Sequence, residues 1–209
     1  PGVTSVVPGD HVVTSFVSSC GNCRYCSDAR PHLCTVSTAS RANGTLPSGL
    51  RHLTCDDGSE LHHYSGLSVY AQYATIDQSA VVAIDKKVPL HVASLFGCAV
   101  LTGMGAVVNT AQVKAGDSVA IVGMGGVGFS ALLAASAAGA REIIAVDLLQ
   151  SKLDRARQLG ATATYNASEA DCVDRIKKTH PNITHAVETA GSARALELAY
   201  KITGRGGTT

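Results

Sequence analysis

Four cysteines fall close together, at Cys20, Cys23, Cys26 and Cys34, in the spacing C-x2-C-x2-C-x7-C. A tetrahedral Zn2+ takes four thiolates at about 2.3 Å, and two-residue gaps let one tight loop, eased by Gly21, supply three of them. The set leaves no open coordination position, so the site it predicts is closed and structural. Disulfide pairing is the competing reading, but pairing across two-residue gaps is strained. Seven cysteines in all is an odd number, and their bunching suits a metal site in a reducing compartment. A cytoplasmic location is the expectation. Cys98 stands apart in the apolar run Phe96-Gly97-Cys98-Ala99-Val100, where a cysteine reads first as a small buried hydrophobe and second as a ligand. Cys55 and Cys172 lack ligand-like neighbours. His62 and His63 are adjacent and point to opposite sides of an extended chain, which makes them a poor metal pair.

The second motif is Gly123-Met124-Gly125-Gly126-Val127-Gly128, a match to G-x-G-x-x-G. Glycine-rich turns are common, but this one follows an apolar strand, opens a helix and is succeeded by an acid at the end of the next strand. Gly123 permits the tight turn, Gly125 lets the backbone approach a pyrophosphate, and Gly128 lets the helix pack against the strand. The helix start offers free N–H groups and a partial positive charge to phosphates. Asp147 stands where a carboxylate accepts hydrogen bonds from both adenosine ribose hydroxyls and repels a 2′-phosphate, so NAD is expected over NADP. Lys152, about one turn further on, either reaches the adenosine end or is simply solvated.

The elements that must hold these residues differ along the chain. Residues 1–85 read as β-rich and irregular, with a turn at Pro8-Gly9-Asp10 and strand character at His11–Val17, Ser68–Ile76 and Val81–Ile84. Thr35 to Ser65 is polar and shows no helical period. Leu90 to Gln112 looks helical, with an interruption near Gly97. A regular alternation follows: strands at Val119–Val122, Glu142–Val146, Thr162–Tyr165 and Thr184–Glu188, and helices at Val127–Ala138, Leu149–Leu159, Ser168–Thr179 and Ser192–Ile202. Apolar strands alternating with amphipathic helices imply βαβ units and a parallel sheet covered on both faces.

Composition narrows the function class. Seventeen basic against sixteen acidic residues leave a net charge of +1, with no surplus to attract nucleic acid or an anionic membrane. A zinc lobe that grips nucleic acid would need a basic, aromatic face, and only Arg24, Tyr25 and Arg30 lie near the cysteines. The uncharged run Val119–Ala140 is long enough to resemble a membrane span, but its glycines divide it into pieces each too short to cross.

In order and type these features resemble the zinc-containing alcohol dehydrogenases of the medium-chain dehydrogenase/reductase superfamily. The resemblance rests on the four-cysteine run, Gly97-Cys98 with Thr102-Gly103 close behind, the glycine fingerprint and Asp147. The stretch Thr35–Gly66 is similar to the longer loop of the liver-type and glutathione-dependent formaldehyde dehydrogenase branches.

The fold so implied is α/β. An incomplete Rossmann-type, doubly wound NAD-binding domain would span 100–209, after 1–99 as the remainder of a β-rich GroES-like catalytic domain. The resemblance also implies that Cys98 ligates a catalytic zinc, that Phe16 and Tyr64 line the alcohol pocket, and that Thr102 lies against the nicotinamide. The other catalytic-zinc ligands, a Cys and a His, would precede Pro1, and further strands would follow Thr209, leaving the chain by itself without turnover. The intact protein would be a homodimer or homotetramer that moves a hydride from a primary or aromatic alcohol to NAD, giving an aldehyde or ketone. A glutathione–formaldehyde adduct is the alternative substrate. Against it, the residues after Cys34 are Thr35-Val36-Ser37-Thr38, and the first basic residue is Arg41.

Overall fold

The computed structural model describes residues 2–209, and the chain divides into two compact units between Cys98 and Ala99. In chain order the first unit carries strand β1 (His11–Thr14), helix α1 (Arg24–Ser27), helix α2 (Thr35–Asn43) and the two-residue strands β2 (Leu53–Thr54) and β3 (Glu60–Leu61). Strand β4 (Val81–Ile84) and the helical turn α3 (Leu90–Ala93) complete it. β1 and β4 pair antiparallel, with His11 opposite Ile84 and Thr14 opposite Val81. β2 and β3 form a small hairpin.

Two expectations for this unit are corrected. Thr35–Ser65 contains a nine-residue helix, α2, although the segment shows no apolar period. The helix buries Ser37 and Ser40 rather than a hydrophobic stripe. Ser18 and Ser37 share a buried hydroxyl hydrogen bond of 3.0 Å there, so polar pairing replaces apolar packing. Ser68–Ile76 forms no strand: residues 70–73 are bends and the flanking residues have no regular structure.

The second unit follows the expected alternation. It opens with helix α4 (Leu101–Gly105), then β5 (Ser118–Val122), α5 (Gly126–Ala137), β6 (Glu142–Asp147) and α6 (Gln150–Gln158). β7 (Ala163–Asn166), α7 (Cys172–Thr179), β8 (His185–Glu188) and α8 (Ala193–Ile202) complete the series. The strands form one parallel sheet in the order β7-β6-β5-β8. Alternate residues of β5 feed opposite cores: Val119 and Ile121 pack with Leu132, Ala135 and Ile143 on one face. On the other face, Ala120 and Val122 pack with Ile144, Ile176 and Ile202. Every residue of β5 is buried, which accounts for its unbroken apolar sequence. The sheet therefore holds Val119–Ala140 as a buried strand, a turn and a covering helix.

The helical run Leu90–Thr110 is 21 residues long and, by length and composition alone, apolar enough to cross a membrane. Only 17% of its most apolar window is buried. Wider turns at Phe96–Val100 and Ala106–Thr110 interrupt its α-helical geometry, the first of them at the expected Gly97.

Candidate functional site

At the C-terminal ends of the parallel strands lies a cleft of about 920 Å3, the position where open α/β sheets bind ligands. Gly123, Met124, Gly125, Asp147 and Lys152 line it. Gly126, Val127 and Gly128 form the first turn of α5 behind them. Gly123 has φ of +97°, and a Cβ there would also come within 2.6 Å of the Ala190 nitrogen. A Cβ on Gly128 would sit 1.9 Å from the Gly123 carbonyl oxygen, so only glycine lets helix and turn meet. Gly125 differs, since a Cβ there meets nothing within 4 Å. That open space lies beside the N-terminus of α5, whose first amides have no partner within the helix.

Asp147 ends β6 with its carboxylate mostly withdrawn from solvent. Its Oδ2 accepts the Met124 N–H at 2.6 Å, and its Oδ1 accepts the Leu149 N–H at 2.9 Å. Lys152 places Nζ 3.7 Å from Oδ2. Thr102 is exposed on α4 and is not among the residues that line the cleft.

The far wall comes from residues that sequence reading passed over. Ala167 and Ser168 follow β7, Thr189 and Ala190 follow β8, and Arg194 and Leu198 lie on α8. Thr189 donates its hydroxyl to the Gly123 carbonyl at 2.6 Å. The signal that could have found Ala167, Ser168, Thr189 and Ala190 is positional: each stands just beyond the C-terminal end of a strand of the parallel sheet.

In the first unit, the sulfurs of Cys20, Cys23, Cys26 and Cys34 all lie within 4.8 Å of one another. Cys23 Sγ is 3.5 Å and Cys20 Sγ 4.0 Å from Cys26 Sγ. Thiolates at 2.3 Å around a tetrahedral zinc stand roughly 3.8 Å apart, so the cluster fits the ion. All seven cysteines are free thiols, so the disulfide reading finds no support here. Backbone amides converge on the sulfurs: Cys23 N–H donates to Cys20 Sγ and Cys20 N–H to Cys34 Sγ, both at 3.3 Å. The Ser37 N–H donates to Cys34 Sγ, making that sulfur the N-cap of α2 as well.

The thiols respond unequally. N–H groups of Cys26 and Thr35 hold Cys23 down at about 5. Burial, helped by the neighbouring Cys23, pushes Cys26 up to about 11. Burial raises Cys34 too, but the amides of Ser37 and Cys20 outweigh it and lower that thiol. Four sulfurs this close all ionise only around a cation.

Cys98 is exposed in the wide turn Phe96–Val100. Among the described residues no second group of three or more His, Cys, Asp or Glu converges on it. Phe16 and Tyr64 are both exposed on the first unit, Tyr64 almost fully.

Residues 1–86 match the alcohol dehydrogenase GroES-like domain, and residues 126–209 match the zinc-binding dehydrogenase family. The chain belongs to the zinc-containing alcohol dehydrogenases. Within the family, it is 38% identical over 170 residues to alcohol dehydrogenase class-3 of Caenorhabditis elegans, across 81% of this chain and 44% of that protein. An alcohol dehydrogenase zinc-binding domain protein of Burkholderia ambifaria superimposes with a TM-score of 0.88 at 36% identity, over 100% of this chain and 57% of that one. Benzyl alcohol dehydrogenase of Acinetobacter calcoaceticus gives 0.84 at 33% identity, again over 100% and 57%. The chain thus spans about half the length of these family members. The fold is the family's Rossmann-type sheet together with a GroES-like domain.

Proposed function

We propose that this chain supplies the dinucleotide cleft and the structural zinc lobe of an NAD-linked alcohol dehydrogenase. Asp147 carries the reading: its carboxylate closes the cleft at the end of β6, where the two ribose hydroxyls of NAD would donate to it and a 2′-phosphate would be repelled. The amides at the start of α5 would take the pyrophosphate, and Gly125 leaves them uncovered. Leu148, Ala167 and Leu198 offer the adenine an apolar wall. When bound, NAD supplies the hydride acceptor and a catalytic zinc supplies Lewis acidity at the substrate oxygen. Cys98 is the residue of this chain assigned to that zinc. The described residues do not complete a ligand set around it.

For substrate, a primary or aromatic alcohol is the proposed class. The 33% identity to a benzyl alcohol dehydrogenase supports it. So does α2, which begins directly after Cys34 and has no basic residue before Arg41 to hold a glutathione carboxylate. A second reading, oxidation of a glutathione–formaldehyde adduct, is favoured by the long Thr35–Gly66 segment and the 38% identity to a class-3 enzyme. NADH fluorescence titration tests the cofactor, with clearly tighter binding than NADPH expected. Equal affinities would overturn the role given to Asp147. In the full-length protein, oxidation of benzyl alcohol with NAD should need no glutathione; strict dependence on it would select the second reading.

A further inference from the structure

The peptide between Gly123 and Met124 is held at both ends by side chains from different strands. Its carbonyl accepts the Thr189 hydroxyl at 2.6 Å, and its N–H donates to Asp147 Oδ2 at 2.6 Å. The main chain ties the same turn to both neighbours, through Gly123 N–H to the Val146 carbonyl and Thr189 N–H to the Val122 carbonyl, each at 2.8 Å. The Gly123 oxygen is further boxed in by Gly128, where any Cβ would collide with it.

From this geometry we infer that Thr189 is a positioning residue for dinucleotide binding, acting through the Gly123 carbonyl to hold the following amides toward the cleft. The inference rests on the cofactor reading above. A peptide plane can rotate as a unit, which would exchange the directions of its carbonyl and its N–H. Asp147 resists that rotation from one end only, and its carboxylate is also the group that must meet the ribose. Thr189 resists it from the other end, and its hydroxyl also reaches the Val122 carbonyl at 3.1 Å. With the hydroxyl gone, the Gly123 carbonyl loses a donor in a half-buried place, and the turn ahead of α5 becomes free to sample other orientations. The cofactor would then have to order it on binding.

Two substitutions separate this role from simple packing. Thr189→Val keeps the shape and removes the hydroxyl; Thr189→Ser keeps the hydroxyl and removes a methyl. By NADH fluorescence titration, Thr189→Val should bind about tenfold more weakly than the parent, and Thr189→Ser within about twofold of it. Hydrogen–deuterium exchange without cofactor gives a second readout: the Gly123–Gly128 amides should exchange faster in Thr189→Val than in Thr189→Ser or the parent. Parent-like NADH affinity in Thr189→Val, or equal weakening in both variants, overturns the proposal. Parent protein that binds no NADH overturns the cofactor reading itself, and the exchange comparison then still decides whether the hydroxyl holds the turn.

Discussion

Asp147 and Met124 are joined by a 2.6 Å hydrogen bond from main chain to carboxylate, which makes the acid at the end of β6 part of the glycine turn as well as a wall of the cleft. The same oxygen lies 3.7 Å from Lys152 Nζ, so the carboxylate is oriented before any ligand arrives. Substituting it removes a contact and a support together.

Asp147→Ser should therefore narrow the preference for NADH over NADPH chiefly by weakening NADH. A hydrogen bond to a charged group is worth about 1.5–3 kcal/mol, or roughly 10- to 100-fold in affinity. NADPH should gain little, because the turn that receives its pyrophosphate is loosened as well. Titration of both cofactors checks this, and a variant that binds NADPH as tightly as the parent binds NADH would disprove the second role.

Gly125 and Gly128 should respond to alanine in opposite ways. Gly128→Ala drives a methyl to within 1.9 Å of the Gly123 oxygen, and overpacking of this kind costs about 1–3 kcal/mol or more. A lowered melting temperature is expected. Gly125→Ala meets nothing within 4 Å in the free protein, so its melting temperature should hold while NADH affinity falls. Unchanged NADH binding in Gly125→Ala would show that the pyrophosphate does not pass over that position.

Zinc content follows from the thiol geometry. The cluster of Cys20, Cys23, Cys26 and Cys34 draws all its ligands from one short segment, whereas Cys98 brings one. Metal analysis after dialysis should find about one zinc on this 209-residue chain, and Cys26→Ser should reduce it. Two tightly held ions would reveal a second ligand set.

Acid should weaken the Gly44–Leu67 segment through His63. Its Nε2 accepts the His52 N–H at 3.3 Å, and burial, with His52 close by, lowers its pKa. An unfolded histidine titrates near about 6.5 and so takes up a proton first as pH falls. Stability from this residue is thus full above about 6.5, declines as pH drops toward the folded value, and is level below it. The stability difference between the parent and His63→Gln should shrink from about pH 7.5 to about 5.5. A constant difference in denaturant melts would exclude the effect.

The second unit was legible because its central strands, β5 and β6, are buried on both faces and alternate with helices, which writes the pattern directly into the sequence. The first was less so. α2 is built on Ser37 and Ser40 and capped by a cysteine sulfur, none of which registers as hydrophobic period. Ser68–Ile76 is rich in strand-forming residues, yet among the described residues it pairs with no strand. At the cleft, the glycines and Asp147 announce themselves by type and spacing. Thr189 does not: a threonine after a strand has many uses, and only the sheet order that sets β8 beside β5 turns it toward Gly123.

That sheet order also fixes a sequence of events in time. Asp147 lies 23 positions from Met124, within the local β5-α5-β6 unit, whereas Thr189 lies 66 positions from Gly123, beyond α6 and α7. Contacts distant along the chain close later than local ones because more loop entropy is lost before they form. A refolding chain should thus make its glycine turn early, anchored at one end, and secure the other only when β8 docks. Helical signal should return before affinity for NADH does, which makes the cofactor a late-stage reporter of folding.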